Sequence, residues 1–498
     1  VAAVWSREDF VGNPWSRKHR KPAAGVCVTF VGRGEHLGTT TSQKVRGDQD
    51  GADLFPVYEA RRVATTECAE MREDPAWVRD DCFMGLAKRM WMEQEAQGWS
   101  YSDKYVCAGC VDDEVLQAAV AGAVEDGEKC SFCGAAGAAS LDVLTEAFVV
   151  GIGHYYGDPD AELVPWESRE GGYQVATYST GELMMDFGDV LTGPGVLDAV
   201  EEAIGDRDWV EALWMESKRD AALESAWDRF RHAVMHETRF IYWLADGDDE
   251  SWLGAGDIPA SRFLHHFAQM VVDHDLIVEF APGEAFHRAQ IHSGPAIDGG
   301  ATAYRLGTAP YELSMRPNRM NPAGIPMFYG ALEPETAIAE VSAHTPGSGD
   351  HVTVGTFVAS ERIDVVDLTR LPVLPSVFDP ERGGDVRREI QFMHSFVKEL
   401  QRPSGELTAA VDYVPTQVVT EFILRALHRV VEGVRQLSGV IYPSVALVGG
   451  RALVLDVDNS RCVDELGKDP EVAPRFGPTP DRLRLVLAKD SVKTRPLR

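Results

Sequence analysis

At 498 residues, with 44% hydrophobic and 25% charged residues, the chain is too long for a single hydrophobic core and too apolar for wholesale disorder, so two or three domains are expected. A formal net charge of -30 argues against broad electrostatic capture of nucleic acid. No run approaches the roughly 20 apolar residues that cross a bilayer, and eight cysteines are too sparse for a disulfide scaffold, so a cytoplasmic, reducing compartment is the expectation.

Residues 1–83 mix Trp, Gly and charge without sustained periodicity and read as a weakly ordered extension. Its dense basic cluster, Arg17 to Lys21, reads as a solvated charge run. From Met84 the segment MGLAKRMWMEQEAQGW carries apolar residues at helical spacing. The stretch 84–140 then holds two matched pairs, Cys107-Ala-Gly-Cys110 and Cys130-Ser-Phe-Cys133, with nineteen residues between them. That spacing belongs to structural zinc sites, since each pair sets two thiolates on one turn and two turns close a tetrahedron with no open position. Cys107, Cys110, Cys130 and Cys133 are therefore expected to bind a Zn2+ that supports folding. Cys27, Cys68, Cys82 and Cys462 lack such pairing and read as packing or surface thiols.

An Ala/Gly-rich joint leads into a middle region, 141–275, that reads as all-α. LDVLTEAFVVGIGHYYG and segments 195–204, 207–219, 221–245 and 260–274 carry apolar residues at three and four spacing. Within the third of these segments, Arg231 and His236 have four residues between them and resemble the Arg-x4-His ribonuclease signature of HEPN domains. Such a pair can hold a phosphate and move a proton. Phe230, Val234, Phe240 and Trp243 nevertheless imply a core-facing side, which favours a structural or assembly helix.

Beyond residue 275 short β-branched runs appear: LIVEFAP, HVTVGTFVA, RIDVVDL, GVIYPSV, RALVLDV and LRLVLA. Helical segments 333–343, 385–401 and 415–436 separate them without regular βαβ alternation, so residues 276–498 are expected to form an α+β domain.

The most specific block lies inside this domain: Arg316-Pro-Asn-Arg319, then Met-Phe-Tyr329, then a helix closing in Ala-Glu340-Val. With FHRAQ at 286–290, YVPTQ at 413–417 and Ser444 in GVIYPSV, it resembles the RES family, named for Arg, Glu and Ser. The aromatic common after the motif arginine is Met320 here. The resemblance implies a fold similar to ADP-ribosyltransferases and release of nicotinamide from NAD, with phosphate or water as acceptor. It further implies a toxin or anti-phage abortive-infection effector, with an antitoxin or trigger protein as partner and a homo-oligomeric state. The preceding zinc and helical segments resemble the HEPN/RES N-terminal module.

The residue chemistry is coherent by itself. Arg319, aided by Arg288 or Arg316, can grip pyrophosphate oxygens through paired N–H donors. Glu340 can stabilise an oxocarbenium-like ribose, Tyr329 offers a ring to nicotinamide and a hydroxyl for orientation, and Ser444 can hydrogen-bond the substrate. Three alternatives stand beside this reading: transfer of ADP-ribose to a macromolecule, a HEPN ribonuclease with a nucleotide-sensing RES domain, and a zinc-dependent scaffold that binds nucleotide without turnover.

Overall fold

The computed structural model describes residues 94, 97–169, 171–244, 254–344, 347, 349–402, 408–465 and 483–497. The expected extension 1–83 and most of the helix expected from Met84 lie outside them, as do Cys27, Cys68 and Cys82.

Strand β1 (Tyr105–Val106) pairs antiparallel with β2 (Ala139–Ser140), which brings the two ends of the cysteine segment together. Helix α1 (Glu114–Gly122) starts at Asp113, whose carboxylate accepts the Val115 and Leu116 N–H groups. Ser140 caps α2 (Leu141–Gly153) in the same way. The chain continues through β3 (Tyr156–Gly157), a hairpin of β4 (Trp166–Glu167) and β5 (Gly172–Tyr173), β6 (Tyr178–Ser179), α3 (Thr180–Phe187), α4 (Val196–Ile204) and β7 (Asp208–Glu211). Ser179 and Glu182 close a capping box at the start of α3.

The all-helical expectation for 141–275 is thus corrected. Strands β3, β7 and β6 form a small antiparallel sheet in that order. Segment 207–219 has apolar residues at 209, 210, 213 and 214, a spacing that fits a helix. The chain instead extends through β7 and turns at Leu213, which has a φ of 54° that no right-handed helix accepts. Both indoles find partners in this arrangement: Trp209 donates to the Thr180 hydroxyl at 3.2 Å and Trp214 to the Glu162 carbonyl at 3.0 Å. One core, with Leu116, Leu141, Leu144, Phe148, Val200 and Trp209 fully or nearly buried, binds the cysteine segment to α2 and α4.

Helix α5 (Arg219–His232) runs into a π-helical turn at Ala233–Glu237 and stops, well short of residue 245. Phe230 and Val234 are buried as expected. Phe240 and Trp243 are not, being 81% and 54% exposed past the end of the helix, which corrects their assignment to a core face. Helix α6 (Phe263–Asp273) follows.

The remaining strands are β8 (Ile277–Phe280), β9 (Ala285–His292), β10 (Phe328–Ala331), β11 (His351–Ala359), β12 (Ile363–Asp367), β13 (Gly439–Pro443), β14 (Arg451–Leu455), β15 (Cys462–Asp464), β16 (Leu485–Leu487) and β17 (Lys493–Pro496). Among the described residues they form one sheet in the order β15-β16-β11-β9-β10-β14-β13-β12-β8, with β17 on β11. Only β12/β13 and β15/β16 run parallel within it, so the domain is a mixed sheet with helices α7 (Pro334–His344), α8 (Asp385–Leu400) and α9 (Val414–Arg425). All six strand segments read from the sequence are present. The helix expected over 415–436 breaks at Ala426 and regains one turn, Leu427–Val430, before ending.

Alternation along the strands divides the sheet into two faces. One buries Phe286, Phe328, Phe357, Ile441 and Leu453. The other presents Val366, Val440 and Val454 to α8 and α9, with Tyr329 and Tyr442 at its margin. Helices α5 and α6 join this second core through Trp227, Phe230, Phe263 and Phe267, so the hydrophobic packing does not divide at residue 275. No helix among the described residues is long and apolar enough to cross a membrane.

Candidate active site and cysteine cluster

Arg319 lies on the loop before β10, and that loop is fastened from two sides. From β10, the Tyr329 hydroxyl donates to Asn321 Oδ1 at 2.6 Å and accepts the Met320 N–H at 3.1 Å. From the first turn of α9, Gln417 Nε2 donates to the carbonyls of Asn318 and Asn321 at 2.8 and 3.2 Å, and the Thr416 hydroxyl donates to the Arg319 carbonyl. Asn321 is 1% exposed and also ties the loop to Ile325 at 2.7 Å. With its backbone held, the Arg319 guanidinium stands over the Tyr413 ring, 5.6 Å from the centroid. Met320, the departure from the family pattern, is buried and accepts the Thr420 hydroxyl on its sulfur at 3.2 Å, so it takes a core position without disturbing the arginine.

This geometry assigns the Tyr329 hydroxyl to loop positioning, since both its hydrogen-bonding roles are filled within the chain. Burial pushes its pKa well above the ordinary tyrosine value, so it remains a donor to Asn321. Tyr329→Phe removes both bonds from a buried setting and is expected to cost about 1–3 kcal/mol, read as a lower denaturant midpoint at unchanged slope.

Glu340 and Ser444 come from distant parts of the chain and meet directly: the Ser444 hydroxyl donates to Glu340 Oε1. Ser444 is 7% exposed, and its oxygen also accepts the Ala446 and Leu447 N–H groups at 3.2 and 3.1 Å. Its own N–H donates to the Gly450 carbonyl at 2.9 Å, which closes the 443–451 loop. The serine is therefore a fixed hinge of that loop and a fixed donor to the carboxylate.

Tyr442, which the motif reading passed over, belongs to the same neighbourhood. Burial and the Glu340 carboxylate raise its pKa, and the Arg319 guanidinium acts in the opposite direction, so both charges are within electrostatic reach of its hydroxyl. The signal was present in GVIYPSV: two-residue alternation from Val440 puts Tyr442 on the face that Tyr329 shares, because Val440 and Tyr329 both pair with Val454. Tyr413, the stacking partner of Arg319, was legible only as part of the YVPTQ block.

The other two candidate arginines are placed differently. Ala331 pairs with His287, so His287 shares the face of Tyr329 and the adjacent Arg288 points to the opposite one. There its guanidinium lies 5.4 Å from the Phe328 ring centroid and donates to the carbonyls of Leu306, at 2.9 Å, and Tyr329. Strand parity gives Arg288 a backbone-fastening job and does not bring it to Arg319 or Glu340. Arg316 is exposed on the arginine loop.

In the N-terminal part, the sulfurs of Cys107, Cys110, Cys130 and Cys133 all lie within 4.8 Å of one another. Three of the separations are 3.5 Å (Cys107–Cys133), 3.7 Å (Cys110–Cys130) and 3.8 Å (Cys107–Cys110). A Zn–S bond of ~2.3 Å in a regular tetrahedron requires sulfurs ~3.8 Å apart, so the donor set fits that ion. Close packing supports the cluster from outside, since a Cβ built on Gly193 would fall 2.5 Å from the Cys110 Cβ. Cys462 is elsewhere, buried against Thr308.

Arg231 pairs with Glu399 of α8 at 2.8 Å and with Asp228 at 3.3 Å, and the Trp227 indole donates to the same Glu399 at 2.6 Å. His236 sits in the π-helical turn with its ring 5.2 Å from that of His232. The ion pair with Glu399 joins α5 to α8, a structural use.

A mixed-sheet domain that sets an anchored arginine loop and a Glu–Ser pair at its helix-covered face, preceded by a helix-rich module, defines a two-part class of protein. Residues 287–473 match the family model of the RES domain, and residues 123–248 match that of HEPN/RES N-terminal domain 1. The chain therefore carries a RES domain preceded by a HEPN/RES N-terminal domain. The N-terminal match includes Cys130 and Cys133 but begins after Cys107 and Cys110. RES domains are associated in general with NAD-related toxins, which points to an enzymatic, NAD-related activity. No curated protein and no solved structure matches the chain.

Proposed function

We propose that this chain is an NAD-consuming enzyme that releases nicotinamide, with phosphate or water taking the ribosyl group, and that it acts as a toxin or abortive-infection effector. The observation that carries the reading is the Glu340–Ser444 contact, which holds a half-buried carboxylate beside Tyr442, a hydroxyl that the Arg319 charge also reaches. Breaking the glycosidic bond of NAD develops positive charge on the ribose as neutral nicotinamide departs, and a preorganised carboxylate stabilises that charge without reorienting. Arg319, held through its backbone and stacked on Tyr413, supplies planar donors for the pyrophosphate. The ADP-ribosyltransferase-like fold expected from the resemblance is part of this proposal. So is a structural zinc on the four cysteines.

Incubating the purified chain with NAD, with and without phosphate, and identifying the products by mass tests the proposal. Free nicotinamide together with an ADP-ribose phosphate ester or free ADP-ribose is expected. NAD left intact in both mixtures refutes it. The ribonuclease alternative draws no support from Arg231, whose guanidinium is committed to Glu399.

A further inference from the structure

The connection between β12 and α8 leaves its own sheet and enters the core of the cysteine module. Phe378 is 2% exposed there, stacked on Phe148 of α2 with centroids 5.1 Å apart and planes at 23°. The fit is tight, because a Cβ built on Gly151 would lie 2.3 Å from Phe378 Cδ1 and 2.8 Å from its Cα. Polar contacts fasten the segment on both sides of this plug. The Ser376 hydroxyl donates to Asp113 Oδ2 at 2.7 Å, the His154 ring bonds the Asp379 carbonyl at 3.0 Å, and the Tyr155 hydroxyl donates to the Gly383 carbonyl at 3.0 Å. Arg388 completes the joint, donating to the His154 carbonyl at 2.9 Å with its guanidinium 4.6 Å from the Tyr155 ring centroid.

The same strap also reaches the 443–451 loop. Its first residue, Thr369, and the preceding Leu368 line a cavity of about 380 Å3 whose other walls include His394 of α8, and Pro443 and Gly450 of the loop closed by Ser444. Leu368 hydrogen-bonds the Ile441 carbonyl at 2.9 Å, one residue before Tyr442, and His394 bonds the Pro372 carbonyl at 2.9 Å. At its far end the strap touches the cysteine cluster's immediate neighbour. Asp113 stands three residues after Cys110, caps α1 with one carboxylate oxygen and receives Ser376 with the other.

From this continuity we infer that the 369–384 strap couples the cysteine module to the active-site loop, so that the docked state of Phe378 and Ser376 sets the position of the 443–451 loop and, through Ser444, of Glu340. A packed aromatic plug has discrete docked and undocked arrangements, and a displacement at residues 376–378 is passed on through 369–375 on one side and through 379–384 to α8 on the other, and residues of 369–375 and of α8 wall the cavity. The consequence for NAD turnover rests on the functional reading above; the mechanical coupling does not.

The test uses the full chain carrying Ser376→Ala or Phe378→Ala, with amide hydrogen exchange read in peptides covering 369–384, 444–450 and, as a folding control, 114–122. Both variants are expected to speed exchange in the strap and in 444–450 by about fivefold or more, with 114–122 still protected, and to lower nicotinamide release by a similar factor through kcat. A loosened strap with unchanged exchange at 444–450 overturns the inference, and so does a strap that neither variant loosens. Should Phe378→Ala lose protection at 114–122 as well, Ser376→Ala decides by the same criteria. Wild-type chain that leaves NAD intact refutes the enzymatic reading alone, because the exchange comparison still decides the coupling.

Discussion

Glu340→Gln is expected to lower nicotinamide release from NAD about a thousandfold while leaving NAD affinity within a few fold, because the interaction it removes forms fully only in the transition state. The carboxylate occupies the second turn of α7, half-buried, with Ser444 bonded to one oxygen. Glutamine keeps the shape and a hydrogen-bond acceptor but lacks the charge that offsets an oxocarbenium-like ribose. A thousandfold corresponds to about 4 kcal/mol of barrier, within what one preorganised electrostatic group supplies. Ser444→Ala should cost less, about tenfold, since it loosens the carboxylate without deleting it and leaves the Ala446 and Leu447 N–H groups without their acceptor. Ser444→Thr, which keeps the hydroxyl, should recover most of that loss. Steady-state nicotinamide release combined with calorimetric titration of NAD separates the two effects. A Glu340→Gln enzyme that retains a tenth or more of wild-type kcat removes the carboxylate from the role proposed for it.

Much of the C-terminal architecture was legible from short β-branched runs, because strands buried on both faces must be apolar along their length and little else in a soluble chain is. The motif residues were legible as types in order. Their relations in space were not, since sheet order and face are properties of pairing, which no local pattern encodes. Arg288 shows the difference: its place in FHRAQ is conspicuous, yet one register fact, Ala331 opposite His287, turns it away from Tyr329. Tyr442 shows the converse, a residue within a quoted motif whose side-chain direction follows from simple alternation. The middle region misled for another reason. Trp209, Val210 and Leu213 satisfy helical spacing over so short a window that two indole hydrogen bonds and a positive-φ residue decide the outcome. The plug at Phe378 was invisible for a third reason: LPVLPSVFDPERGG reads as a proline-punctuated loop, and nothing local tells a loop that a groove over Gly151 awaits its phenylalanine.

Replacing Cys110 with serine, or stripping metal from the wild-type chain with a strong chelator, should produce the largest change in stability. Four thiolates within 4.8 Å of one another repel unless a cation or protons neutralise them, and Cys107, Cys110 and Cys130 are part of the module's own core. Structural zinc contributes on the order of 10 kcal/mol to folding in such settings, because the site does not exist in the unfolded chain. The purified wild-type chain is expected to carry one zinc by elemental analysis and Cys110→Ser essentially none. The module should then lose its cooperative melting transition at ordinary temperatures, since that contribution is comparable to the whole stability of a small domain, about 5–15 kcal/mol. Cys110 is the informative choice because it is buried, its carbonyl accepts the Gly193 N–H at 2.8 Å, and it leads directly into Asp113 and α1. Cys462→Ser is the matched control: it is equally buried but lies in the sheet domain against Thr308, so it should leave metal content unchanged. A wild-type chain that purifies without metal and melts at the same temperature with and without chelator would falsify the zinc assignment. The four cysteines would then be packing thiols, and the cap at Asp113 would have to hold α1 without a metal beneath it.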